Sequence, residues 1–107
     1  MIIVEYCLYE ADKNSPDGEG WFTNGNWIDS IDRQHSSITM RSIKKNAKQL
    51  LIQHNCPSGC YNIDIIKGPK EDVQDCLFYE YCVGYANISY ISEKRKVTIE
   101  SCGGELK

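Results

Sequence analysis

Much of the chain alternates between apolar and polar residues with a period of two, which predicts β-strands. Residues 2–10 show it most clearly, with apolar side chains at every even position from Ile2 to Leu8. The segments of this kind are residues 2–10, 61–66, 77–91 and 97–102. In the third of them we expect a bend or a β-bulge at Gly84 or Asn87, where the strand pattern weakens.

One segment has helical spacing instead. Its apolar stripe consists of Met40, Ile43, Ala47, Leu50, Leu51 and His54. Side chains that recur every three or four residues lie on one face of a helix. Ser42 is a suitable N-cap residue and Pro57 prevents the helix from continuing, so we predict a helix over about residues 42–55.

The dipeptide Asn24-Gly25 is typical of a tight hairpin turn, because both residues tolerate positive φ angles. Two short strands around this turn, within residues 21–28, are one interpretation. A loop anchored by Trp21 and Trp27 is the other.

These elements predict an α+β fold, in which one antiparallel β-sheet of about four to six strands carries one main α-helix on one face. The chain has 107 residues, which is enough for one hydrophobic core and too few for two. We therefore expect a single small domain over residues 1–107.

Composition and charge exclude several classes of protein. With 41% hydrophobic and 25% charged residues the chain is an ordinary globular protein, and no apolar run approaches the roughly 18 residues of a membrane span. A formal net charge of -3 has the wrong sign for a generic nucleic-acid binder. Phosphate-binding glycine loops, Gly-x-Ser-x-Gly elbows and His-Glu-x-x-His motifs are absent from the sequence.

The N-terminus, Met-Ile-Ile-Val-Glu-Tyr, lacks the basic and long apolar regions of a signal peptide, so we expect a cytoplasmic protein. The six cysteines should then be thiols, although their even number leaves a disulfide framework open. Ile, Lys, Asn and Tyr are favoured over Ala and Arg, which suggests AT-rich codons and a low-GC bacterium or one of its phages.

Three possible metal ligands, His54, Cys56 and Cys60, occur within seven residues. Zinc needs four nitrogen or sulfur ligands, and the second half of such a site is missing from the sequence. Cys56 would also follow the helix, where the helix dipole disfavours a reactive thiolate. These residues therefore form at most an incomplete zinc site. The alternative is that all three have structural roles in the fold.

Two groups of basic residues stand out. One lies on the outer side of the predicted helix and consists of Arg41, Lys44, Lys45 and Lys48. The other lies at the turn of the last hairpin and consists of Lys94, Arg95 and Lys96. If both lay on one side of the molecule, they would suit a phosphate backbone. The alternative is that these lysines simply solvate the outer side of a helix packed on a sheet.

Aromatic residues are the most unusual feature of residues 76–90. Because one helix covers one face of the sheet, we expect the other face to be partly open and to bind a larger protein partner. The candidate anchors are Tyr79, Tyr81, Tyr85 and Tyr90, with Trp21 and Trp27. The alternative is a structural role, in which the tyrosines pack under the helix with their hydroxyl groups at its rim.

The sequence thus favours a small non-enzymatic protein-binding module. Short chains encoded by phages often inhibit a host or defence protein, as anti-CRISPR proteins do, and this class suits the chain without any resemblance in residues. One alternative is a zinc- or thiol-dependent module that binds nucleic acid, through Arg41, Lys45 and Lys48. A small hydrolase-type enzyme is a third hypothesis.

Overall fold

The computed structural model describes residues 1–12, 14, 24–34, 37–74 and 81–104. Its elements are β1 (Ile2–Ala11), β2 (Asn24–Gln34), α1 (Met40–Gln53), β3 (Gly59–Pro69), α2 (Lys70–Gln74), β4 (Cys82–Ile91), a 3₁₀ turn (Ser92–Lys94) and β5 (Lys96–Gly104). The strands form one sheet in the order β2-β1-β3-β4-β5, and every neighbouring pair is antiparallel. The predicted α+β fold is confirmed.

Strand β1 lies inside the sheet and pairs with both β2 and β3. All six residues from Ile3 to Leu8 are buried, so both faces of this strand are covered. Val4, Tyr6 and Leu8 belong to the main core under α1. The side chains between them point to the opposite face, as the period of two requires.

Helix α1 packs on the sheet through the predicted stripe, in which Ile43, Ala47, Leu50 and Leu51 are buried. The predicted N-cap is wrong, because the helix is capped by Thr39 and begins at Met40. Ser42 instead occupies the third helical position and completes a capping box. Its backbone N–H donates to Thr39 Oγ1 at 3.0 Å, and the Thr39 N–H donates to Ser42 Oγ at 2.8 Å.

Polar contacts tie α1 to the edge strand β2. The Arg33 guanidinium donates to Asn46 Oδ1 at 3.0 Å and to Gln49 Oε1 at 2.8 Å. Near the end of the helix, His54 Nε2 lies 2.7 Å from Asp29 Oδ2. These contacts join the end of β2 to the middle of the helix, and the middle of β2 to the end of the helix.

The predicted turn at Asn24-Gly25 is wrong, because both residues lie in β2 and Asn24 pairs with Ala11. A Cβ at Gly25 would lie 2.9 Å from the Glu10 carbonyl oxygen. Glycine is therefore needed here because β1 and β2 approach each other closely, and not because the chain turns.

A second, smaller cluster lies on the face opposite α1. Val73 of α2 packs with Ile3, Cys7 and Ile66, so this face is covered at one end. The predicted bulge is confirmed beside Gly84, where the β3–β4 register shifts. A further register shift falls in the β4–β5 pair at Asn87. Neither helix in the described part of the chain has the length and apolarity needed to cross a bilayer.

We predict that Leu51→Ala lowers the free energy of unfolding by about 2–5 kcal/mol, since it leaves a cavity between α1 and the sheet. Leu51 is fully buried. Chemical denaturation measures the change. Gln53→Ala, at an exposed position of the same helix, is the control, and an equal loss in both variants would contradict the assignment of Leu51 to the core.

Candidate binding surfaces

The structure separates the predicted aromatic anchors into different environments. Tyr90 is only 4% exposed and belongs to the core under α1. Its ring meets Tyr61 edge-on, with the centroids 6.5 Å apart. It therefore offers almost no surface to a partner, and for this residue the alternative of a tyrosine buried under the helix is correct.

Tyr81 is half-buried and packs on the smaller cluster. A Cβ at Gly68 would lie 2.7 Å from its ring, so the ring covers that glycine closely. Tyr79 and Trp21 lie outside the described residues.

Tyr85 and Trp27 remain the exposed members of the set, at 47% and 56%. Tyr85 pairs with Asp64, and Asp64 with Cys7, while Trp27 pairs with Tyr9. Directly paired residues of antiparallel strands share a face, and so do alternate residues of one strand. Both rings thus belong to the face opposite α1, and their strands are about 14 Å apart.

We call this surface the open face and define it by Tyr9, Trp27, Asp32, Asp64 and Tyr85. Three carboxyl groups belong to this face, because Asp32 pairs with Glu5, and Asp64 of β3 pairs with Cys7, two residues further along β1. The open face is therefore both aromatic and acidic.

The thiol of Cys7 lies beneath the open face and donates to Glu5 Oε1 at 3.4 Å. Burial, followed by the neighbouring carboxyl groups, raises the pKa of this thiol well above its ordinary value. Burial likewise raises the pKa of Tyr9 to about 12. Both groups stay protonated at neutral pH, and a thiol in that state is a poor nucleophile.

The candidate zinc ligands are not gathered into a site. No group of three His, Cys, Asp or Glu side chains in the described residues is arranged to hold a metal ion, and this includes His54, Cys56 and Cys60. His54 contacts Asp29 instead. Burial raises the pKa of the Cys56 thiol, which opposes the thiolate that zinc requires.

The basic residues converge more closely than the sequence alone indicates. A depression of about 460 Å³ between α1 and β5 is lined by Arg41, Lys44, Lys45, Lys48, Lys96 and Val97. We call it the basic depression. Arg95, from the same hairpin as Lys96, lines a different depression at the other end of α1. Only the pairing of β5 with β4, which the sequence does not specify, brings Lys96 beside the helix.

The charges of the basic depression do not stabilise α1. The helix contains no Asp or Glu, its first turn has no acidic residue and its last turn no basic one. Pairs such as Arg41–Lys45 and Lys44–Lys48 are like charges at i, i+4, each of which destabilises an isolated helix by about 0.2–0.5 kcal/mol. In the described residues, no carboxylate forms an ion pair with these cations; the ion pair found there is His54–Asp29.

Comparison with protein-family models, with curated proteins and with solved structures finds no match to this chain.

The contact between Asp29 and His54 should make the stability of the fold depend on pH in the acid range. Chiefly the Ser30 N–H, and next His54, hold the pKa of Asp29 below its ordinary value of 3.8. A carboxylate whose pKa is lowered on folding stabilises the fold above the unfolded-state value, and that contribution disappears as the pH falls through the folded-state value.

We therefore expect Asp29→Asn to lower the melting temperature above about pH 5, and the difference from the parent chain to shrink as the pH falls below about 4. Thermal unfolding across this range is the measurement. Glu93→Gln, in the exposed turn before β5, corrects for the change in net charge. A difference that stays constant with pH would contradict the role of the Asp29 carboxylate.

Proposed function

We propose that this chain is a non-enzymatic module that binds a larger protein through the open face. The observation that carries the proposal is the exposure of Tyr85 and Trp27 on one face of a rigid sheet. Large aromatic side chains are enriched in protein interfaces, because they supply contact area with few rotatable bonds.

The position of Tyr85 supports this role. A Cβ at Gly103 would clash with the ring and hydroxyl of Tyr85, so the ring lies directly over this glycine of β5. Packing of that kind restricts the ring before a partner arrives. A side chain that is already ordered loses less conformational entropy on binding.

The carboxyl groups of the open face indicate the chemistry of the partner. Asp32 is exposed and Asp64 half-buried, so a surface with arginine or lysine residues would complement them. An arginine could also stack on Trp27. The molecule measures 36 × 29 × 25 Å, and one face of that size can supply the roughly 800 Å² per partner of a standard interface.

The finer proposal concerns biological role. A short chain with AT-rich codon usage and a binding face suits a phage- or mobile-element-encoded inhibitor, which would act stoichiometrically on a bacterial host or defence protein in the manner of anti-CRISPR proteins. The partner's identity tests this part of the proposal separately from the binding face itself.

We expect the double variant Trp27→Ala/Tyr85→Ala to lose its protein partner, because the exposed aromatic anchors of hot spots contribute most of the binding energy. The immobilised chain and the variant are compared by quantitative mass spectrometry of proteins retained from bacterial lysate. A partner retained by the parent chain should fall about tenfold or more, which corresponds to about 1.4 kcal/mol.

Met40→Ala is the matched control, since Met40 is an exposed hydrophobic residue at 43% in the first turn of α1, on the other side of the sheet. A photocrosslinking residue at position 85 should capture the same partner, and one at Gln53 should not. Equal retention by the parent chain and the double variant would refute the proposal.

A further inference from the structure

We propose that the basic depression is a second binding site, which takes the phosphate backbone of duplex nucleic acid without reading its sequence. The site is independent of the open face, because α1 covers the opposite side of the sheet. Its cations come from two elements, four from α1 and Lys96 from β5.

The spacing of the helical cations suits a row of phosphates. Arg41 and Lys48 are seven residues apart, which is about 10 Å along a helix. One strand of a duplex has one phosphate per about 3.4 Å of axis, so this row faces about three of them. Lysine also predominates over arginine here, and lysine contacts phosphate as a point charge without demanding one geometry.

Charge segregation supports a polyanionic ligand. The chain has 12 Lys and Arg and 15 Asp and Glu, yet in the described part of the chain five basic residues and no acidic residue line this depression. An ordinary solvated surface mixes both signs. Arg41 also lies in the first turn of α1, at the positive end of the helix dipole, where a cation is unfavourable until an anion binds.

The lining favours a duplex over a single strand. Among the residues that the structure describes, its lining contains Val97 besides the five cations, and none of these is an aromatic residue on which an unstacked base could stack, as single-strand sites use. In a duplex the bases stay stacked inside the helix, and the phosphates form the surface that a protein meets.

The experiment is fluorescence anisotropy of the full chain with a 20-bp DNA duplex. At physiological salt we expect a dissociation constant of roughly 10⁻⁶–10⁻⁴ M, and tighter binding at low salt. The slope of log K against log salt should become shallower by about 0.9 for each contacting cation that is removed. Lys44→Gln/Lys48→Gln should therefore lower affinity roughly tenfold or more at about 0.1 M salt, and reduce the slope by about 1.8.

Lys67→Gln/Lys70→Gln is the matched control, because it removes the same charge from β3 and α2, away from the depression. Affinity and slope should match those of the parent chain. Thermal unfolding adds a readout of opposite sign: Lys44→Gln/Lys48→Gln should melt at the same temperature as the parent chain or higher, since repulsion within α1 is relieved. Loss of binding then reflects the missing contacts and not unfolding.

An RNA duplex of the same length should bind about as well as the DNA duplex. Tighter binding of a single strand would overturn the assignment to duplexes. Equal binding of polyglutamate would assign the surface to an acidic protein instead and overturn the proposal. No duplex binding at low salt, or equal loss in both double variants, would also overturn it.

Discussion

One helix cannot cover a five-stranded sheet on both faces, and the rest of the structure follows from this constraint. Five strands at about 4.8 Å spacing form a sheet about 19 Å across, while a helix with its side chains is about 10–12 Å wide. Helix α1 buries Val4, Tyr6 and Leu8 on one face. On the opposite face Ile3 and Cys7 pack with Val73 of α2, and Glu5, Asn62 and Asn87 are also buried. The rings of Tyr85 and Trp27 stay exposed on this face.

The same arrangement separates the charges of the molecule. Cations cluster on the outer side of α1 and beside β5, while Glu5, Asp32 and Asp64 share the opposite face of the sheet. A small net charge therefore conceals two regions of opposite potential. Such a distribution orients a molecule in the field of a charged partner before contact, and dissolved salt weakens this steering.

The periodicity of apolar residues predicted the fold because the residues buried between α1 and the sheet are nearly all apolar. The apolar stripe of α1 and the alternation of β1 are visible without coordinates, and both were placed within a few residues. The start of α1 was missed because Thr39 and Ser42 are both good capping residues, and only their mutual hydrogen bonds decide between them.

The candidate surfaces were less predictable, because they depend on pairing between distant segments. Buried Asn46 does not fit an apolar stripe, yet it accepts a hydrogen bond from Arg33 across the helix–sheet boundary. Lys96 joins the helical cations only through the register of β5. Tyr90 and Tyr85 are five residues apart on one strand and therefore point to opposite faces, so aromatic composition alone could not separate a core residue from an exposed one.

The ring of Tyr85 above Gly103 also bears on how the sheet ends. Strand β5 is an edge of the described sheet, and unpaired edge strands invite pairing with another molecule. Glycines leave such an edge bare, and an aromatic ring from the neighbouring strand shields it. Gly104 follows with φ 77°, a left-handed conformation that directs the chain away from the extended path. These two features oppose the addition of a further strand at the end of β5.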